Sequence, residues 1–138
     1  APVLASEAFP RSAGQTIYVP AYSHIYHGNK ETPLLLSVTL SVRNVDPAES
    51  ITITAVDYYE TQGTLLKHYL KEPVVLGPLD AERYIVSQKD SSGGSGANFI
   101  VKWESKNLSN PPIIESVMIG TQSQLGISFT SRGQAIQD

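Results

Sequence analysis

Apolar and polar residues alternate along several short stretches of this chain, and alternation with a period of two predicts β-strands. The clearest stretch is residues 34–42, in which every second residue is apolar: Leu34, Leu36, Val38, Leu40 and Val42. Successive side chains of a strand point to opposite faces, so one face of this strand is buried and the other is solvated. Residues 99–104 alternate in the same way, with Phe99, Val101 and Trp103 on the predicted core face.

The next apolar stretch, residues 51–58, predicts a strand with one irregularity, and a turn comes after it. The apolar positions change register between Ile53 and Val56. Such a shift is typical of a β-bulge, which we place near Ala55. Residues 60–64 predict a hairpin turn in which Gly63 supplies a positive φ.

Two further segments limit how strands can pair. Pro20 cannot donate a backbone hydrogen bond, so the strand that begins at Gln15 lies at a sheet edge or breaks at this residue. Residues 113–120 and 125–129 predict a hairpin that ends the domain.

These elements together predict the fold class and the domain bounds. No stretch has the capped 3.6-residue period of an amphipathic helix. Turn signals recur about every 8–12 residues, which predicts an all-β fold, an immunoglobulin-like antiparallel β-sandwich of roughly eight strands. We expect residues 1–13 to be a disordered lead-in, the flank of a removed signal or an added segment. Residues 14–133 are the predicted single domain, and residues 134–138 are a predicted tail.

Composition and charge exclude several classes of function. A chain of 138 residues with 41% hydrophobic residues fits one domain with a core. The formal net charge is −3 and the basic residues are scattered, so we expect no nucleic-acid binding. The absence of cysteine excludes disulfides and zinc–cysteine sites, and the apolar runs are too short for a transmembrane segment. No cofactor motif occurs, and we expect no cofactor.

The glycine-rich loop of residues 90–98 combines backbone freedom with many hydrogen-bonding groups. Its sequence is Asp-Ser-Ser-Gly-Gly-Ser-Gly-Ala-Asn. Successive backbone N–H groups in such a turn could bind an anion, and its oxygens could bind a hard cation such as calcium. The alternative is a wide turn shaped by its glycines, with Asp90 making a local Asx-type hydrogen bond.

Two catalytic interpretations of this loop fail on its sequence. It lacks the Gly-Lys-Ser/Thr ending and the following helix of a phosphate-binding loop. Residues 93–97, Gly-Gly-Ser-Gly-Ala, have alanine at the last glycine of a nucleophile elbow and lead into a strand. A catalytic role for this loop is therefore not favoured.

Tyrosines add a candidate recognition surface. Tyr22 and Tyr58 lie in segments that also contain His24 and Asp57, and a half-exposed surface of this kind suits a peptide, glycan or partner protein. The alternative is that these tyrosines fill the rim of the sandwich. The candidate ligand-binding residues are therefore Asp90, Gly93, Gly94, Ser95, Gly96, Asn98, Tyr22 and Tyr58.

A metal site is a weaker candidate. His24 and His27 are three residues apart, which places them on opposite faces of a strand, so they could share a metal only across a turn. Asp57 or Asp90 would complete the set. The alternative is that each histidine is hydrogen-bonded to a neighbour or solvated. No Ser–His–Asp order and no pair of carboxylates for acid–base chemistry is recognisable.

Several segments together resemble a bacterial domain-of-unknown-function family, number 3124. They are YVPAYSHIY at 18–26, LSVRN at 40–44, VDYY at 56–59, Asp90 with GGSGANF at 93–99, Trp103, VMIG at 117–120 and GISF at 126–129. The resemblance implies a small bacterial protein, usually made with an export or lipoprotein signal, and no assigned activity. It implies a periplasmic or otherwise exported location, with a lipid anchor on the full-length precursor as one option.

The sequence favours a non-enzymatic envelope module that binds an unknown small ligand or a protein partner. Its working surface would be the end of the sandwich that carries the 90–98 loop. One alternative is a metal-binding protein or metal-dependent hydrolase that uses His24, His27, Asp57 and Asp90. Another is a structural subunit that forms a homo-oligomer through an edge strand, such as the strand that contains Pro20.

Overall fold

The computed structural model describes residues 10–26, 33–87, 90–120 and 126–137, and within them the protein is an antiparallel β-sandwich. This confirms the predicted all-β class. The described strands are β1 (Ser12–Pro20), β2 (His24–Tyr26), β3 (Pro33–Leu35), β4 (Ser37–Arg43), β5 (Ile51–Tyr59), β6 (Leu65–His68), β7 (Val74–Leu76), β8 (Ala81–Val86), β9 (Asn98–Ser109), β10 (Ile113–Gly120), β11 (Ile127–Arg132) and β12 (Gln134–Ile136).

Two sheets form the layers of the sandwich. The first has the strand order β12-β1-β9-β5-β6, and β7 follows β6 along the same edge of β5. The second has the order β11-β10-β4-β8. Strands β2 and β3 form a small separate sheet. None of the described residues forms a helix long and apolar enough to cross a membrane.

The core lies between the inward faces of the two sheets. Every second residue of β4 is fully buried, as the alternation predicted: Val38, Leu40 and Val42. From the first sheet, Phe99, Val101 and Trp103 of β9 belong to the same core cluster. The 2.0-residue period of the sequence therefore identifies the core face of both central strands.

Two local predictions are confirmed by the backbone. The pairing of β5 with β9 shifts register between Ile53 and Ala55, so the β-bulge lies where the apolar pattern slips. The turn between β5 and β6 has Gly63 at φ 89°, and the Glu60 N–H donates to the Thr64 carbonyl over 2.9 Å. The hairpin of β10 and β11 also forms as predicted.

The structure divides the predicted strand 34–42 in two. Leu36 is the break: its N–H donates to the Ser23 carbonyl over 3.0 Å, and the three residues before it pair with β2 instead of entering the second sheet. Leu36 is fully buried, so the apolar alternation continues through the break. The described residues form twelve strands where roughly eight were expected, and the immunoglobulin-like topology stays a prediction.

The ends of the domain differ from the sequence prediction. Strand β1 begins at Ser12, within the predicted lead-in; residues 1–9 lie outside the described residues. Residues 134–136, predicted as part of a tail, form β12 and pair with β1. β1 thus has β9 on one side and β12 on the other, so it is no sheet edge, although it does end at Pro20. Among the described residues, β12 pairs only with residues 16–18 of β1, and assembly of a homo-oligomer through an edge strand stays a prediction.

Candidate functional site

A cleft opens at the end of the sandwich where β5 ends and the 90–98 loop leads into β9. It has a volume of about 370 Å³ and lies between β6 of the first sheet and β8 of the second. Its described lining residues are Tyr58, Leu66, Lys67, Tyr69, Ile85, Val86, Ser87, Asp90 and Ser92. One carboxylate, one ammonium and two phenols thus line a space that also has apolar walls.

Tyr58 contributes a buried donor to this cleft. Its side chain is 1% exposed, and its hydroxyl has no hydrogen-bond partner among the described residues. Burial raises the pKa of Tyr58 above its ordinary value, and the nearby Asp90 carboxylate raises it further. The hydroxyl is therefore protonated at neutral pH. A buried polar group without a partner costs roughly 1–3 kcal/mol, so a ligand that accepts this hydrogen bond would regain that energy.

Aromatic contacts hold the walls of the cleft in place. The Tyr58 and Tyr69 rings pack on Phe99 with centroid distances of 4.9 Å and 5.8 Å. The Tyr69 hydroxyl donates to the Ile85 carbonyl of β8 over 3.3 Å, which links the two sheets beside the cleft. The Lys67 ammonium lies 4.3 Å from the centre of the Tyr69 ring, a cation–π contact.

Asp90 lies at the polar end of the cleft in an Asx-type turn. Its Oδ1 accepts hydrogen bonds from the Ser92 N–H over 3.1 Å and from the Ser92 hydroxyl. Its own N–H donates to the Ser87 carbonyl over 2.9 Å. The local hydrogen bond expected of the structural alternative is therefore present. Both bonds from Ser92 use Oδ1, and no described residue donates to Oδ2, which can accept from a ligand.

The glycine loop is fastened to the β5–β6 turn by Thr61. The Thr61 hydroxyl donates to the Gly93 carbonyl over 2.8 Å and accepts from the Gly96 N–H over 2.9 Å. The Thr61 N–H also donates to the Gly93 carbonyl over 2.8 Å. Gly94 has φ +81°, which favours glycine, and a Cβ on Gly93 would overlap the Tyr58 hydroxyl. The glycines thus let the loop pack closely on its neighbours.

The same loop is fastened to the segment after β1. The Ser23 N–H and hydroxyl both donate to the Gly94 carbonyl over 3.0 Å, and the Ala21 N–H donates to the Ala97 carbonyl over 2.8 Å. The Gly94 N–H donates within the loop to the Ser91 carbonyl. The N–H groups of Ser92, Gly94 and Gly96 are all occupied, so the structure does not support an anion-binding nest built from them.

Comparison with known proteins assigns the chain to a family. A family model described as "Protein of unknown function (DUF3124)" matches residues 14–136. The chain belongs to the DUF3124 family. No curated protein matches it. A solved structure described as "Crystal Structure of Thermotoga maritima 1070" is similar to this DUF3124 protein with 11% sequence identity and a TM-score of 0.48, covering 87% of this chain and 92% of that chain.

The DUF3124 protein brings together only part of the predicted ligand-binding set. Tyr58 and Asp90 line one cleft, and Gly93 lies against Tyr58. A Cβ at Gly94 or Gly96 would instead meet Thr61. The remaining members do not line this cleft: Tyr22, Ser95 and Asn98. The Tyr22 ring packs on Phe129 at 5.8 Å, and Asn98 is the first residue of β9.

The predicted metal ligands have other partners in this DUF3124 protein. Asp57 Oδ1 lies 2.6 Å from the Nδ1 of His68 on the neighbouring strand β6. The His24 ring contacts the Tyr26 ring edge-on, and His27 lies outside the described residues. Among the described residues, no three His, Asp or Glu side chains come close enough to hold a metal ion. The described members of the set are not clustered, and the metal site of His24, His27 and Asp57 or Asp90 stays a prediction because His27 lies outside the described residues.

The sequence contained a partial signal for one missed contact and none for another. Counting back across the predicted 60–64 turn brings β6 beside β5 but places Lys67 opposite Asp57. The register shift between Tyr58 and Tyr59 brings His68 to that position instead. Tyr69 follows the last residue of β6, and no pattern shows that its ring turns inward onto Phe99. Lys67, which covers that ring, was missed for the same reason.

Proposed function

We propose that this protein is a non-enzymatic binding module whose cleft between β6 and β8 holds a small, uncharged, hydroxyl-bearing ligand such as a sugar. The observation that carries the proposal is the Tyr58 hydroxyl, a buried donor without a described partner on a residue that lines a cleft large enough for a small molecule. A ligand oxygen that accepts from Tyr58 would complete its hydrogen bonding.

The composition of the cleft supports an uncharged ligand. Asp90 and Lys67 carry opposite charges, so the described lining selects neither an anion nor a cation by net charge. A ligand hydroxyl can donate to Asp90 Oδ2, and another can accept from Tyr58. The Tyr69 ring and the side chains of Leu66 and Ile85 offer apolar surface to the carbon face of a sugar ring.

A binding role also suits the chemical groups in the cleft better than catalysis. Asp90 is the single carboxylate among the described lining residues, and no histidine accompanies it, so an acid–base pair is missing there. Tyr58 holds its proton because its pKa is raised, so it does not serve as a base at neutral pH. An envelope location is part of the proposal, and the resemblance of the sequence to exported bacterial proteins supports it.

NMR titration with neutral saccharides tests the proposal. We expect glucose, N-acetylglucosamine or a disaccharide of these to shift the amide signals of Tyr58, Asp90 and Ser92. The variants Tyr58→Phe and Asp90→Asn should each weaken this binding about tenfold, because each loses one hydrogen bond to the ligand. Tyr18→Phe, at an exposed tyrosine outside the cleft, is the matched control and should bind as the parent does.

These substitutions test ligand binding more specifically than changes in the loop glycines would. Alanine at Gly93 or Gly96 would collide with Tyr58 or Thr61 and disturb the fold, so a loss of binding there would be ambiguous. Tyr58→Phe removes only an oxygen. If no saccharide binds, or if binding is unchanged in both cleft variants, the proposal is refuted.

A further inference from the structure

A second concave site lies at the opposite end of the sandwich. Asn98 pairs with both Pro20 and Tyr59, so these three residues lie together at the cleft end of the sandwich. The start of β1 and the end of β9 lie at the opposite end. There, a groove of about 400 Å³ runs between the start of β1, the start of β10 and the β11–β12 connection. This volume is in the range of sites for small molecules.

The groove has an apolar interior with rigid walls. Ile17 and Ile114 of the two sheets lie at its base and are 6% and 3% exposed. Its walls include the prolines Pro10, Pro111 and Pro112. Because proline fixes its own φ, these walls lose little freedom when a ligand enters.

Two arginines give the groove a positive rim. Arg11 and Arg132 line it, both are exposed, and no acidic side chain among the described residues lies within 4.0 Å of either guanidinium. Glu115 pairs with Arg132 in register on β10 but forms no described ion pair with it. Backbone N–H groups lower the pKa of the Asp46 carboxyl by donating to its oxygens, and the positive charge of Arg11 lowers this pKa to a smaller extent.

A neutral donor adds to the two guanidinium groups. The carboxamide oxygen of Gln15 accepts from the indole N–H of Trp103 over 3.2 Å. Its NH₂ group is thereby left as a donor beside the groove that Gln15 lines. The described rim thus offers donors and positive charge around an apolar interior.

We propose that this groove binds an amphiphilic carboxylate, such as a fatty acid of medium length. The acyl chain lies on Ile17 and Ile114 between the prolines, and the carboxylate pairs with Arg11 and Arg132. Guanidinium groups match carboxylates in geometry as well as in charge, which is why two arginines at an apolar groove select this class of ligand. The proposal uses none of the residues of the Tyr58 cleft.

Calorimetric titration of the full chain with octanoate tests this site. We expect saturable binding of octanoate, binding at least about tenfold weaker for octan-1-ol, which has the same tail without the charge, and none for acetate, which lacks the tail. Arg11→Gln and Arg132→Gln should each weaken octanoate binding about tenfold, and the double variant should abolish it. Arg43→Gln, at an arginine outside the groove, is the matched control and should leave binding unchanged.

Several results would overturn the proposal. Equal affinity for octanoate and octan-1-ol would show that the arginines play no part, and unchanged binding in the double variant would show that the site lies elsewhere. Absence of octanoate binding by a chain that unfolds cooperatively also refutes it. Tyr58→Phe should bind octanoate normally, which separates this result from a failure of the proposed saccharide cleft.

Discussion

At the scale of single residues, Asp46 is a buried charge held mainly by hydrogen bonds. Its side chain is 1% exposed, and its carboxylate accepts from the N–H groups of Ala48, Glu49 and Asn110, each over 2.9 Å. These donors lower the pKa of Asp46 far below its ordinary value, with the Asn110 N–H as the largest contributor. Asp46 thus ties the connection before β5 to the end of β9.

This arrangement predicts a loss of stability in acid. The pKa of Asp46 is lower in the folded state than in the unfolded state, where it is about 3.9. The carboxylate therefore contributes its full share of the free energy of unfolding above a pH of about 3.9, and this share is lost as the pH falls toward the folded-state pKa. We expect Asp46→Asn to unfold at clearly lower urea than the parent at pH 7, and the difference between the two to shrink at pH 3. Urea titrations followed by Trp103 fluorescence at both pH values measure this.

The matched control for Asp46 is Asp80→Asn, which makes the same change at an exposed carboxylate. That variant should have nearly the parent midpoint at pH 7. If the urea midpoints of Asp46→Asn and the parent differ as much at pH 3 as at pH 7, the ionised carboxylate is not what stabilises the contact between the connection before β5 and the end of β9.

At the scale of elements, the β5–β6 turn and the glycine loop form one unit through Thr61. We expect Thr61→Val, which keeps the shape but removes the hydroxyl, to lower the free energy of unfolding by about 0.5–1.5 kcal/mol, because the Gly96 N–H loses its protein acceptor. Amide hydrogen exchange at Gly96 should accelerate more than exchange in β4.

Thr64→Val is the control for this coupling, since Thr64 lies in the same exposed turn and its hydroxyl forms no hydrogen bond to the described residues of the loop. It should leave exchange at Gly96 unchanged. If Thr61→Val and Thr64→Val have equal effects, the turn does not hold the loop through the Thr61 hydroxyl.

Some elements of the fold could be predicted from the apolar pattern of the sequence, and others could not. The bulge near Ala55 was predictable because apolar residues on both sides of it must reach the same core, so the extra residue shifts the pattern. The break at Leu36 was not, because Leu36 is buried in either arrangement and the pattern stays unbroken. β12 was missed because all three of its residues are exposed, so its pairing with β1 leaves no apolar period.

The candidate site was predictable only in part, for a similar reason. Tyr58 and Asp90 were both named, one as a contact residue and one as a loop ligand, but their proximity depends on how the loop folds back over β5. Tyr22 was named on the same grounds as Tyr58, yet its ring packs on Phe129 of the second sheet. Residue type indicated which side chains could bind; only tertiary packing selects those that share a cleft.

At the scale of the whole molecule, the two proposed sites lie at opposite ends of one rigid core. The Ser116 hydroxyl of β10 donates to the Pro20 carbonyl at the end of β1, which joins the two sheets near the cleft end. At the groove end the chain itself crosses between the sheets, from β11 to β12 through Gly133. Both sheets contribute to one core cluster, so we expect them to unfold together.

The crossing at Gly133 provides the test of that cooperativity. A Cβ there would lie 2.6 Å from Ile17 Cγ2 and 2.8 Å from the Ile114 carbonyl oxygen, so Gly133→Ala should lower the free energy of unfolding by about 1–3 kcal/mol. Gly126→Ala is the control, because its Cβ would meet no atom of the described residues within 4 Å. Trp103 fluorescence reports unfolding of the first sheet, and far-UV circular dichroism reports unfolding of both sheets. In urea, Gly133→Ala should give the same midpoint by both signals, and that midpoint should be lower than the midpoint of the parent. Separate midpoints in Gly133→Ala would mean that each sheet is stable without the other, contrary to a single shared core.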